Sequence, residues 1–398
     1  MAIAGVLLFH TGLLPGGFLG VDLFFVLSGY LITNLLIREL QRTGRVSLVA
    51  FWGRRARRLM PALVTVLAVV TVAVRVAGPA DLVRTTLADG PWVQADLVNW
   101  HLIAQSVGYW DRFGPGRVFE HLWSIAVEEQ FYLVWPVVVT LAARARARFR
   151  WRGWGRDSGG VRTERRTRRR VERRIGAVAV AVSVASLAAM VLLLDPADTT
   201  RVYFGTDTRA FSLLLGGAAA TGPARSALAP IANGRPGPVA ACLVAVVGAA
   251  WLLVEGVDPT WLYTGGLFAH SLACAVLIGL CVLAPATGVA RALALRPLRW
   301  LGSVSYGLYL WHWPVIVLLS SGPALPRGPA RTVAVCALSL ALATLSKRLI
   351  EDPIRFRASW ARGAGGAAAL AVAMIGLAVL WTAVPAPAAP TVDITELR

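Results

Sequence analysis

Lysine is almost missing from this chain. Of its 40 Lys+Arg residues only Lys347 is lysine, and Asp+Glu number 21 in 398 residues. Charged residues make up 15% of the chain, too few to coat a soluble protein of this length. Cysteine is scarce as well. Cys242, Cys274, Cys281 and Cys336 all fall in apolar runs and form no CxxC pair, which argues against a disulfide framework and against a thiolate metal site. No metal is expected. No internal repeat of the kind many transporters carry is visible. The first apolar run lacks a charged leader and a small-residue cleavage site, so it does not read as a cleavable signal peptide.

What is present is apolar length. Hydrophobic residues make up 57% of the chain, and its mean hydropathy is +0.63. Runs at 59–74, 175–194, 238–254, 262–285 and 364–384 approach the length that crosses a bilayer. The net charge of +19 and pI near 11.3 raise the question of nucleic acid. Such binding needs a contiguous basic face, whereas these arginines sit between apolar runs. No nucleic-acid partner is expected; membrane lipids are.

Hydropathy and length predict an all-α, polytopic membrane helix bundle of about eleven spans. These are 1–14, 17–37, 59–78, 121–143, 175–194, 209–221, 238–254, 262–286, 301–320, 331–346 and 363–383. Every second connection is basic. Segment 38–58 holds seven Arg, and segment 144–174 holds fourteen. Arg225 and Arg235 follow, then Arg291, Arg296 and Arg299, then Lys347, Arg348, Arg355, Arg357 and Arg362. The positive-inside rule makes these loops cytoplasmic, with the N-terminus inside and the C-terminus outside the cell membrane. The same rule disposes of WVQADLVNWHLIAQSVGYW, 92–110, as an extra span, because spanning there would turn the fourteen-Arg loop outward. It reads as an outer interfacial or re-entrant segment. The basic loop 144–174 is expected to lie against anionic lipid, disordered or helical, with no specific ligand.

Polar groups inside spans are costly and mark candidate sites. Span one holds His10; span two holds Asp22 and Ser28; span four holds His121, Ser124, Glu128 and Glu129; span nine holds Ser305, Tyr306 and His312. On an ideal helix His121, Ser124, Glu128 and Tyr132 share one face, while Glu129 lies about 100° round from Glu128. His10 and Glu128 both fall toward the outer ends of their spans, at depths that would let them meet. A helix-locking ion pair is the competing role for the two acids. Packing hydrogen bonds or ion pairs are the competing roles for His312 and Asp22. Arg54, Arg55, Arg57 and Arg58 fix topology, and their guanidinium groups also suit an anionic cytosolic ligand.

Five stretches in order then resemble one family. They are LLFHTGLLPGGFLGVDLFFVLSGYLIT, FWGRRARRLMPAL, HLWSIAVEEQFYLVWP, RWLGSVSYGLYLWHWPVI and LIEDPIR, spread over residues 1–357. Together they resemble the acyltransferase 3 family of integral membrane O-acyltransferases. The resemblance implies a membrane acyltransferase domain at 1–357, followed at 358–398 by an extra span and an extracytoplasmic Pro/Ala-rich tail. It implies transfer of an acyl group, expected to be acetyl, from acyl-CoA to a hydroxyl of a carbohydrate or cell-envelope glycan. Acyl-CoA is then a co-substrate, and no tightly bound cofactor is expected.

Residue by residue, the resemblance makes His10 a catalytic base or acyl relay, and matches Glu128, Glu129 and Glu351 to the family's acids. It matches Arg55 and Arg58, beside Arg54, to a basic motif facing coenzyme A phosphates. Asp22, Ser28, Trp123, Ser124, Tyr306 and His312 complete the set as acceptor-binding candidates. The family pattern also places an Arg about three helical turns ahead of the His. That position would precede Met1, so the natural chain is expected to begin upstream. The extra span leads, in some members, to an extracytoplasmic hydrolase-like domain, so a separate partner domain is a further expectation. The alternatives are a transporter or flippase for a glycan or lipid intermediate, an acyltransferase for macrolide-type metabolites, and an inactive membrane scaffold. The Ala- and Arg-rich, Lys-poor composition suggests a GC-rich bacterial genome.

Overall fold

The computed structural model describes residues 1–106, 116–144, 160–255, 260–320 and 328–387. Parts of the interfacial segment 92–110, the basic loop 144–174, the acidic loop 255–260 and the Pro/Ala-rich tail therefore lie outside the described residues.

Among the described residues every regular element is helical. In order they are α1 (Ala2–His10), α2 (Gly20–Thr43), α3 (Leu48–Ala77), α4 (Ala80–Gln94), α5 (Val98–Ala104), α6 (Trp123–Arg144), α7 (Gly160–Leu192) and α8 (Thr200–Phe204). There follow α9 (Thr206–Ala219), α10 (Gly222–Asn233), α11 (Pro236–Leu253), α12 (Leu267–Leu283), α13 (Gly288–Leu293), α14 (Arg296–Ser320), α15 (Pro329–Ser346) and α16 (Gly363–Ala383). Local chemistry sets several ends. Gly44 closes α2 at a left-handed φ of 73°, its N–H donating to Leu40 O at 2.9 Å. Proline opens α10, α11 and α15, where the missing N–H costs nothing.

Eight helices are long and apolar enough to cross a membrane: 17–43, 48–77, 120–144, 166–192, 236–253, 262–283, 329–357 and 363–383. Three of the eleven expected spans, 1–14, 209–221 and 301–320, correspond to helices outside these eight. α1 has 9 residues and α9 has 14, about 14 and 21 Å against a hydrocarbon core of about 30 Å. α14, with 25 residues, has the length but interleaves its apolar positions with polar ones. The segment at 92–106 breaks into the end of α4 and the short α5.

The chain divides into two compact units. The first is built from Met1–Trp52 and Ser124–Ser303, with a short piece starting at Leu102. In it α9 packs between α2 and α7. Glycine makes the α2–α9 approach possible. A Cβ on Gly29 would lie 1.7 Å from Leu213 O, and one on Gly216 would lie 1.9 Å from Val26 O. The second unit is built from Gly53–His101, a segment ending at Trp123, and Val304 onward. There α16 is clasped to α4: Trp381 Nε1 donates to Gln94 Oε1 at 2.8 Å, and Gln94 Nε2 donates to Met374 O at 2.7 Å.

Candidate functional site

In the first unit, α2 and α6 carry the candidates, and two cross-links hold them in register. Trp135 Nε1 donates to Thr33 Oγ1 at 2.8 Å, and Ser28 Oγ hydrogen-bonds with Tyr132 OH. Tyr132 OH in turn donates to Glu128 Oε2 at 3.3 Å. Since the phenol proton goes to the carboxylate, Ser28 donates to the phenol oxygen. The result is an ordered chain from Ser28 through Tyr132 to Glu128. Trp52 Nε1 donates to Tyr132 O at 3.0 Å and anchors the same turn. Glu128 and Glu129 are partly exposed, and Ser124 is buried. His10 ends α1, half-buried, its ring 5.1 Å from that of Phe9.

Asp22 has different company. It is fully buried, and Arg209 Nη2 donates to its Oδ2 at 3.1 Å while Ser212 Oγ donates to its Oδ1 at 2.9 Å. Ser271 Oγ lies 2.9 Å from Ser212 Oγ. The Arg209 guanidinium also stands over the Tyr203 ring, 5.0 Å from its centroid. These contacts correspond to the ion-pair role weighed for Asp22 in the sequence. Nearby, Trp251 Nε1 donates to His270 Nε2 at 3.1 Å. Arg209, Ser212, Ser271 and His270 were not among the sequence candidates. The signal was faint: one charged residue inside an otherwise apolar run at 209–221.

In the second unit, α14 is the organising helix. His312 is fully buried, and its Nδ1 donates to Tyr309 O at 2.7 Å, which places its proton on that nitrogen. Tyr309 OH donates to His121 O at 2.8 Å, and the His121 and His312 rings meet edge-on with centroids 5.3 Å apart. His121 belongs to a tight turn, Glu120–Leu122, ahead of α6, so it does not keep the α6 helical phase. Trp123 is 1% exposed. Tyr306 OH donates to Leu59 O at 3.0 Å, tying α14 to α3 just past the basic motif. In that motif Arg54 and Arg58 are exposed and Arg55 is half-buried. Glu351 accepts from Ser346 Oγ at 3.5 Å and lies within electrostatic reach of Lys347 and Arg58. A Cβ on Gly307 would lie 3.2 Å from Glu351 Oε1, so α14 is indented where that carboxylate sits.

A second acid cluster stands outside the eight membrane-length helices. Asp89, 1% exposed, accepts from Arg117 Nη1 at 2.6 Å and has His101 Nε2 3.3 Å from the same oxygen. Burial outweighs the Arg117 charge and pushes the Asp89 carboxyl up to about 6. Burial also pushes Asp96 up to about 7. It lowers His101, which stacks on Trp92 with ring centroids 5.0 Å apart.

Membrane-length helices with carboxylate, phenol, hydroxyl and imidazole groups packed among them define a polytopic helical membrane protein with a polar interior. The family model described as Acyltransferase domain matches residues 1–348, and the chain belongs to that family, acyltransferase 3. It is 36% identical over 362 residues to O-acetyltransferase OatA of Staphylococcus aureus (strain NCTC 8325 / PS 47), covering 89% of this chain and 55% of that protein. It is 33% identical over 362 residues to peptidoglycan O-acetyltransferase OatA of Listeria monocytogenes, covering 89% of this chain and 54% of that protein. It is 34% identical over 372 residues to putative peptidoglycan O-acetyltransferase YrhL of Bacillus subtilis (strain 168), covering 89% and 53%. The chain thus spans about half the length of the curated relatives it matches. No solved structure matches it.

Proposed function

We propose that the protein is a membrane O-acetyltransferase that moves an acetyl group from acetyl-CoA to a hydroxyl of a cell-envelope glycan, peptidoglycan foremost. One observation carries the reading: similarity to proteins named peptidoglycan O-acetyltransferase over 89% of the chain.

The chemistry needs a base near neutral pH, and imidazole suits it. His10 takes the proton of the acceptor hydroxyl as that oxygen bonds to the thioester carbonyl carbon. The carbon–sulfur bond breaks, and the coenzyme A thiolate leaves with the proton that the imidazolium returns. Glu128 is the carboxylate that orients and charge-balances the site, and its own orientation is held by Tyr132 and Ser28. Glu129, about 100° round the helix from Glu128, serves packing. Arg54, Arg55 and Arg58 face the donor's phosphates, with Glu351 setting the position of Arg58. The donor enters on the Arg-rich, cytoplasmic side, and the acceptor is met toward the outside.

The test incubates membranes holding the full chain with acetyl-labelled acetyl-CoA and follows label into muramidase-released fragments. Wild type labels them, and His10→Ala loses activity about 100-fold or more. Equal labelling removes His10 from the mechanism. Label confined to other material overturns the glycan acceptor. Transport of an unlabelled glycan without acetyl transfer favours the transporter reading.

A further inference from the structure

Arg168, Arg169, Glu172 and Arg173 stand on one face of α7, at spacings of three and four residues. The loop they close was expected to hold no specific ligand, because nothing in the local sequence distinguishes it from a topogenic basic run. The folded chain adds distant partners. Glu172, 8% exposed, accepts from Gln41 Nε2 at 2.8 Å, from Gly222 N at 2.6 Å and from Arg225 Nη2 at 3.0 Å. Gln41 is 131 residues away in sequence and Gly222 is 50. A buried carboxylate therefore joins α2, α7 and the start of α10 in the first unit.

These helices line an open cavity of about 550 Å³. Its lining includes Gln41, Arg168, Arg169, Glu172, Arg173 and Arg225. Glu172 and Arg225 neutralise each other. Arg168, Arg169 and Arg173 are exposed and, among the described residues, form no ion pair. Arg169 and Arg173, four residues apart, repel, and a shared anion relieves that repulsion. Guanidinium forks on a concave wall match the oxygens of a phosphate group.

Depth suggests where that phosphate comes from. The apolar part of α7 begins at Ile175. At about 1.5 Å per residue, Arg173 lies roughly 3 Å and Arg168 roughly 10 Å beyond its end. The headgroup layer of one leaflet is about 5–7 Å thick, so Arg173 stands at headgroup depth, and Arg168 and Arg169 stand just beyond it, where their long side chains reach back to a headgroup. We propose that this cavity is a specific site for a phosphate group, supplied by an anionic lipid headgroup of the leaflet at the Arg-rich end of α7. The site is independent of the acetyl-transfer reading, and its test uses no activity.

The experiment purifies the full chain into nanodiscs of phosphatidylcholine alone or of an equimolar mixture with phosphatidylglycerol. Retained lipid is counted by native mass spectrometry, and thermal stability is read alongside. Wild type retains phosphatidylglycerol and melts higher in the mixture. The triple variant Arg168→Gln/Arg169→Gln/Arg173→Gln, which changes only exposed side chains, binds it about 100-fold more weakly and loses the shift. The control Arg296→Gln/Arg299→Gln, also basic and exposed, behaves as wild type. A second arm adds coenzyme A or inorganic phosphate to the phosphatidylcholine sample. A shift there that the triple variant loses, with none from phosphatidylglycerol, overturns the lipid source and leaves a soluble-phosphate site. Equal phosphatidylglycerol retention in wild type and triple variant, or equal loss in the control, overturns the proposal.

Discussion

Asp22 and Asp89 invite comparison. Each is a buried aspartate paired with an arginine, one in each unit. They differ in how the second oxygen is served. At Asp22 the arginine takes Oδ2 and Ser212 takes Oδ1, so both oxygens accept. At Asp89 both Arg117 and His101 approach Oδ1, and Oδ2 has no hydrogen-bond partner among the described residues. A buried charge is tolerated when its remaining lone pairs are also satisfied. The two sites thus differ in the donors around the carboxylate, beyond the presence of an arginine.

The largest test removes the better-served acid. Asp22→Ala leaves Arg209 charged and fully buried, and should cost about 3–5 kcal/mol in thermal unfolding of the purified protein. Asp22→Ala combined with Arg209→Met should recover most of that loss. A double variant as unstable as the single would show that the pair's charge is not the issue.

Asp89 should instead reveal itself through pH. Its carboxyl titrates near 3.8 when free and near 6 in the folded protein, so the folded state holds the proton more tightly. Stability from this group is full below about pH 4 and is lost as pH rises through 6, by at most about 3 kcal/mol. Asp89→Asn should flatten that stretch of the melting profile. A slope unchanged in the variant would assign the titration to another group.

A smaller effect tests the second donor directly. Ser212→Ala leaves Asp22 Oδ1 with one donor fewer and should cost about 1–3 kcal/mol. The smallest is His101→Phe, which keeps the stack on Trp92 and drops only the 3.3 Å approach to Asp89. A change within about 1 kcal/mol would leave Arg117 as the working partner; a larger one would promote His101.

Legibility in the sequence followed the range of the forces involved. Eight of the expected spans coincide with membrane-length helices, because hydropathy over some twenty residues is a local property. The expected spans at 1–14 and 209–221 fold as α1 and α9, helices of 9 and 14 residues, because hydropathy marks apolar residues and tertiary packing sets where a helix ends. The shared face drawn from His121 to Tyr132 held only from Ser124 on, since His121 sits in a turn before α6 begins at Trp123. Asp22 and Ser28 were visible as polar residues in an apolar run. Their partners, 187 and 104 residues away, were not. Gly29 looked like any glycine in a membrane helix until Leu213 O was found against it.

Composition, hydropathy and motif order determined on their own that this is a helical membrane chain of the acyltransferase 3 family, because insertion and motif chemistry act over contiguous residues. Only the tertiary structure decided which buried groups meet. The Ser28–Tyr132–Glu128 chain, the Asp22–Arg209 pair and the Glu172 clasp each join helices distant in sequence. Their geometry depends on helix packing, which no local stretch encodes.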